Sequence, residues 1–221
     1  MNRFFRLLGS SLLFPGLASA QLGVRVGATS TTFQTPTSTT QQSARAGRQF
    51  GYQLGVFYEH PFAKRFSLVP ELSYSRERLS LDASDYRFID AGYAGSYGLT
   101  LAYVNVSVLL RATFGKWYLE AGPQASYLVA GREAGHEYLM TIAGSYTQEV
   151  DRAATARYKR LDAGLCVGVG VKLPASLRLG LRAYQGLRSL TPSNPDEPAY
   201  SGRLVRQTLQ ASLSYQLKSA S

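Results

Sequence analysis

Residues 205–217 read Val-Arg-Gln-Thr-Leu-Gln-Ala-Ser-Leu-Ser-Tyr-Gln-Leu. Val205, Leu209, Ala211, Leu213, Tyr215 and Leu217 fall on one parity, with Gln207 the only interruption. Arg206, Thr208, Gln210, Ser212, Ser214 and Gln216 fall on the other. A strand turns successive side chains to opposite faces, so this segment has one face in an apolar medium and one in a polar medium. The pattern recurs upstream, roughly at 21–31, 49–60, 65–76, 99–113, 116–130, 159–173 and 176–188.

The connections alternate in length. His60 to Lys64, Phe114-Gly115 and Pro174-Ala175 are tight turns, whereas 32–48, 77–98, 131–158 and 189–202 are long and polar. Three short and four long connections between eight strands predict an all-β, eight-stranded antiparallel up-and-down barrel. Its long loops lie at one end and both termini at the other.

Alternation does not say which face is inside. A soluble lipocalin-like carrier has an apolar interior; a transmembrane barrel has an apolar exterior. The polar parity decides for the membrane. Around 159–173 it carries Asp162, Gly164, Cys166, Gly168, Gly170 and Lys172, and on the next strand Arg178, Gly180, Arg182, Tyr184 and Gly186. Glycines weaken a strand and pack nothing on a wet surface. In a crowded lumen they make room for the large side chains of the neighbouring strand. Aromatics agree. Tyr52, Tyr74 and Tyr127 share the apolar parity at predicted strand ends beside long loops, and Tyr58, Phe66, Phe114, Trp117 and Tyr215 share it near the short turns. Two aromatic belts around an aliphatic band suit two membrane interfaces, so outer-membrane lipid is the first expected partner.

The amino terminus reads as an export leader at 1–20: Arg3 and Arg6, a short apolar run from Leu7 to Leu17, then Ala18-Ser19-Ala20. Residues 21–221 then form one domain. The chain has 24 basic and 14 acidic residues, net +10, or +8 without Arg3 and Arg6. The cations are scattered over strands and loops in an exported chain, which argues against a nucleic-acid partner. Cys166 has no second cysteine to bond and reads as a small buried side chain.

The sequence also resembles the PorT-like outer-membrane β-barrel proteins of the Bacteroidetes type. The likeness runs through Tyr103-Val104-Asn105-Val106-Ser107-Val108-Leu109-Leu110-Arg111 and Gly115-Lys116-Trp117-Tyr118-Leu119-Glu120-Ala121-Gly122-Pro123. It continues in Asp162-Ala163-Gly164-Leu165, Gly168-Val169-Gly170 and Tyr184-Gln185-Gly186-Leu187. The resemblance implies an eight-stranded barrel in the outer membrane and a link to secretion or surface assembly, and no particular activity.

Ten ionisable residues share the polar parity: Arg25, Glu59, Glu71, Arg111, Glu120, Asp162, Lys172, Arg178, Arg182 and Arg206. An isolated buried charge is costly, so these predict a paired network that fills the lumen. Glu71 and Glu120 are expected to find arginine partners, and Glu120→Ala to cost more stability than Glu137→Ala in a long loop. The alternative is a small-solute pathway; an eight-stranded barrel is just wide enough for its own side chains, which favours the filled lumen. No catalytic residue, cofactor or metal site is expected. His60 sits in a turn. His136 lies near Glu133 and Glu137 without the helical spacing of a known metal motif. The expected role is structural or interactive, non-enzymatic, with a protein partner met through the long loops.

Overall fold

The computed structural model describes residues 21–34, 42–88, 91–141, 144–156, 158–190 and 204–217. The leader expected at 1–20 lies outside them. Nine strands follow in order: β1 (Gln21–Gln34), β2 (Gln42–Pro61), β3 (Phe66–Phe88), β4 (Ala91–Phe114), β5 (Trp117–Thr141), β6 (Gly144–Ala153), β7 (Leu161–Lys172), β8 (Leu177–Gly186) and β9 (Val205–Gln216).

Eight of them close a ring. Sequence neighbours pair antiparallel, β5 pairs with β7, and β9 returns to β1. The ring can be followed from Gly23 through Phe57, Glu71, Ser107, Gln124, Gly164 and Gly186, then past the adjoining Arg206 to Phe33. The register returns ten residues further along β1. Such a stagger tilts strands by about 40° and sets a lumen that side chains can fill. The ninth strand, β6, stands outside the ring and pairs with the far half of β5, from Arg132 to Thr141.

The polarity is that of a membrane barrel and the reverse of a lipocalin's. Outward Leu22, Val26, Leu54, Leu119, Leu165, Val167, Leu181 and Leu209 are all about half exposed, while the alternate residues are buried. All eight predicted belt aromatics face outward. Tyr52, Phe66, Tyr74, Phe114, Trp117, Tyr127 and Tyr215 are exposed and Tyr58 partly so.

Two expectations are corrected. The stretches 77–98 and 131–158 are largely strand rather than loop, and the second half of 32–48 is strand as well. Tyr52, Tyr74 and Tyr127 therefore stand mid-strand, not at strand ends. Beyond them charged residues enter the outward rows, as in Arg76, Arg78 and Arg132, alongside exposed Tyr138 and Met140, while backbone pairing continues. A ladder needs hydrogen-bond partners, not an apolar face. A bulge at Val129–Ala130 adds to the disguise, because the β4 pairs step from Ala130 to Leu128 there. Inward residues run to Leu128 on one parity and resume at Glu133 on the other.

The β7–β8 hairpin turns through Ala175 and Ser176 at φ 58° and 61°. Leu177 N donates to Pro174 O at 3.3 Å. Two consecutive left-handed residues make a type I′ turn, which suits Asn-Gly because Asn tolerates the left-handed region and Gly has no Cβ. Ala175→Asn with Ser176→Gly is expected to raise stability by about 1–2 kcal/mol. A denaturation midpoint no higher than the parent's counts against this reading of the turn.

Candidate functional site

Among the described residues, the lumen gathers most of the buried charge. Five arginines inside the ring (Arg25, Arg111, Arg178, Arg182 and Arg206) face five carboxylates (Glu59, Glu71, Glu77, Glu120 and Asp162), and all ten are buried. Their strands deliver them in tiers because each occupies the inward parity of a tilted strand.

Nearest the short turns, Glu59 accepts from Arg111 Nη1 at 2.9 Å and Arg178 Nη1 at 2.5 Å, and Gln216 bonds Arg178 as well. The next tier is a relay of alternating sign. Arg111 Nη2 reaches Glu120 Oε2 at 2.8 Å, Arg182 Nε reaches Glu120 Oε1 at 2.5 Å, and Arg182 Nη1 reaches Glu71 at 2.9 Å. Arg25 Nε lies 3.2 Å from the same Glu71 oxygen, an ion contact without hydrogen-bond alignment, and its Nη1 donates to Ser212 Oγ at 3.1 Å. Guanidinium planes lie against rings here: Arg111 over Tyr118 at 4.6 Å and Arg25 over Phe57 at 5.5 Å. A planar cation with a fork of donors suits both contacts.

Further toward the long connections, Arg206 sits between the rings of Tyr103 (4.2 Å) and Tyr184 (4.6 Å). It reaches Glu77 at 3.2 Å, Asp162 at 3.1 Å and Ser126 Oγ at 2.7 Å. Tyr184 donates to Asp162 at 2.9 Å and Thr31 to Glu77 at 2.9 Å. Above this tier the lumen becomes apolar. Phe33, Leu79, Leu99, Leu101, Leu128, Leu190 and Leu204 pack into one buried cluster with Tyr97, Tyr103 and Tyr158.

The glycines sit where the sequence puts crowding. A Cβ on Gly168 would lie 2.8 Å from the Arg182 side chain, one on Gly164 2.8 Å from the Tyr184 ring, and one on Gly170 2.2 Å from the Tyr118 ring. Contacts under 3 Å force something to move.

Of the ten residues read from the sequence, nine are drawn into these contacts. Lys172 is half-buried and makes no ion pair with a described residue. Glu77 is the charge the sequence reading missed. It shares the parity of Glu71, six residues further along a strand assumed to have ended. Tyr103, Tyr118 and Tyr184, the rings that hold the arginines, carry the same signal of inward parity.

Glu133 and Glu137 also prove to be buried rather than in a solvated loop. Arg152 from β6 bonds Glu133 at 3.1 Å and Glu137 at 2.6 Å, with Tyr158 and Tyr97 donating to them at 2.8 and 2.9 Å. This stretch lies beyond the apolar band. Burial lowers the Arg152 pKa, but the two carboxylates outweigh it and hold the guanidinium more firmly charged than usual. Glu137 is therefore no neutral control for Glu120; exposed Glu149 on β6 takes that place. His136 points to the opposite face from both glutamates and is exposed, so the three do not converge. His60 is half-buried at the end of β2. Cys166 is buried against Phe57, Val69 and Leu109. Among the described residues no three acidic, histidine or cysteine side chains are arranged to hold a metal ion.

A family model described as "Outer membrane protein beta-barrel domain" matches residues 12–191. No curated protein matches the sequence. Among solved structures, the chain is similar to Neisserial surface protein A at 12% identity and a TM-score of 0.46, covering 90% of this chain and 99% of that one. It is similar to Ail, the attachment invasion locus protein of Yersinia pestis, in complex with the heparin analogue sucrose octasulfate. There the identity is 10%, the TM-score 0.44, and the coverage 90% and 99%. It is also similar to the outer membrane protein OprG of Pseudomonas aeruginosa, at 11% identity and TM-score 0.44, covering 90% and 97%.

Proposed function

This chain belongs to the outer-membrane β-barrel family, and on that premise we propose that it is a non-enzymatic barrel that works through what it presents beyond the membrane rather than through its lumen. Residues 1–20 are its export leader, and the long-connection end faces outward. The protein acts as a structural or interaction element. The PorT-like likeness of Tyr103–Arg111 and Gly115–Pro123 directs the search for a partner toward secretion or surface-assembly machinery.

One observation carries the reading. The lumen is shut twice, by five arginines paired with five carboxylates and by the apolar cluster above them. A solute path would have to break several buried ion pairs at once, each strongly costly to break from one side. The extended strands β3 to β6 instead build a stalk beyond the apolar band, the part suited to a protein partner.

In a planar bilayer the refolded protein is expected to give no stable conductance steps. Steady steps of sizeable amplitude would transfer the protein to the channel class. One observation favours that second reading. Between the Arg182 and Arg206 tiers, Thr29 Oγ1, Gln53 Nε2 and Asn105 Oδ1 are buried with no hydrogen-bond partner among the described residues. Buried polar atoms ordinarily find one, so this short stretch is the place for water. Conductance that rises in Arg206→Ala but not in the parent would locate the block at the upper tier.

A further inference from the structure

The outward face of β3 changes character abruptly where the apolar band ends. On β3 the outward row runs Leu68, Pro70, Leu72 and Tyr74, and its next members are Arg76 and Arg78, both exposed. Arg76 stands beside Tyr52 on β2 and small Ala102 on β4, and Arg78 beside Thr100. Only the β4 neighbours, Ala102 and Thr100, are small, and both arginines are exposed. A second patch lies across the barrel. Lys159 and Arg160 immediately precede β7, and Arg160 Nη1 donates to the Tyr127 hydroxyl of the belt at 3.5 Å. The Lys159 amide bonds Leu190 O at 3.3 Å, which brings Arg188 to the same stretch of rim.

These five cations are exposed, and none forms an ion pair with a described residue. Two of the described outward acids are occupied: Asp82 accepts from Ser96 at 2.6 Å, and Asp151 is held by Arg132. The ten tiered lumen charges balance, five against five. At the rim, by contrast, these five cations have no ion-pair partner among the described residues. Cations directly above an aromatic belt sit at the depth of lipid headgroups. Arginine's fork matches phosphate oxygens two at a time.

We infer that the two patches, Arg76 with Arg78 and Lys159 with Arg160 and Arg188, seat the phosphate groups of an anionic lipid in the leaflet facing this rim. The inference rests on the outward orientation proposed above, so the lipid is one of the outer leaflet.

Native mass spectrometry of the refolded full barrel with bisphosphorylated lipid A, against neutral phosphatidylcholine, tests it. Lipid A is expected to remain bound to the parent. Bound lipid is expected to fall about tenfold in Arg76→Glu with Arg78→Glu, and again in Lys159→Glu with Arg160→Glu, since each surface cation adds to the attraction. Arg76→Gln with Arg78→Gln should lose less, and Lys64→Glu with Lys116→Glu at the other rim should lose nothing. Heat-modified gel migration confirms that each variant is folded. Unchanged binding in the collar variants overturns the inference, as does equal loss in the Lys64/Lys116 variant. Displacement by excess inorganic phosphate, with no preference for the lipid, overturns the headgroup assignment. Orientation is read separately, by labelling Gln148→Cys in a Cys166→Ser background on intact cells. Label uptake with collar-independent binding sinks the lipid seat alone; no uptake with collar-dependent binding sinks the orientation alone.

Discussion

Glu120→Ala is expected to lower the melting temperature of the refolded barrel by on the order of 10 °C. Glu120 is nearly fully buried and holds two arginines, Arg111 at 2.8 Å and Arg182 at 2.5 Å. Without it, Arg111 keeps Glu59 and Arg182 keeps Glu71, but five guanidiniums then share four carboxylates in a closed space. Removing one partner of a buried pair leaves an uncompensated charge and costs about 3–5 kcal/mol. Glu149→Ala, on the exposed face of β6, is expected to stay within about 0.5 kcal/mol of the parent. Equal melts for the two variants in detergent would mean that the lumen admits water freely. The filled-lumen reading would then fail.

The second large effect is expected on the opposite side of the wall. Val167 points outward from β7, is 55% exposed, and has only Ala121 and Ala183 beside it on the neighbouring strands. Neither neighbour can shield a guanidinium, and the site is far from either aromatic belt. Val167→Arg should cost about 2–4 kcal/mol near the bilayer midplane, enough to stop most chains from inserting into vesicles. Ser96→Arg, also outward but beyond the band, should insert normally. Normal insertion of Val167→Arg would show that this face does not meet lipid.

Much of the membrane-spanning half of the protein can be read from the chain because two different media act on alternate residues. Val205–Leu217 records both, and so does 159–188. The half beyond the belts escapes such a reading for two physical reasons. Outward positions there meet water, so Arg76, Arg78 and Arg132 replace the apolar row and the strands resemble loops. The Val129–Ala130 bulge then exchanges the two parities, which hides Glu133 and Glu137 among apparent surface residues. In the lumen, parity identifies which side chains enter but not which meet. Arg182 finds Glu71 and Glu120 because the ten-residue stagger of the ring raises β8 to their level. That stagger is a property of all eight strands together.

The seam between β1 and β9 has a kinetic meaning. Every other ladder of the ring joins strands far nearer along the chain, even β5 with β7 across β6. The seam joins Gly23 to Gln216 and Gln34 to Val205, across almost the whole sequence. Contacts so remote carry the largest loop-closure entropy and form slowly. Hairpins zip first, as an open curved sheet whose arginines and carboxylates are still hydrated. Shutting the seam strips that water from all ten charges in one event, and the Arg25–Ser212 bond is made across it. Ring closure, with dehydration of the network, is therefore the expected slow step of assembly. Reopening would have to break the seam ladder and pull the buried ion pairs apart.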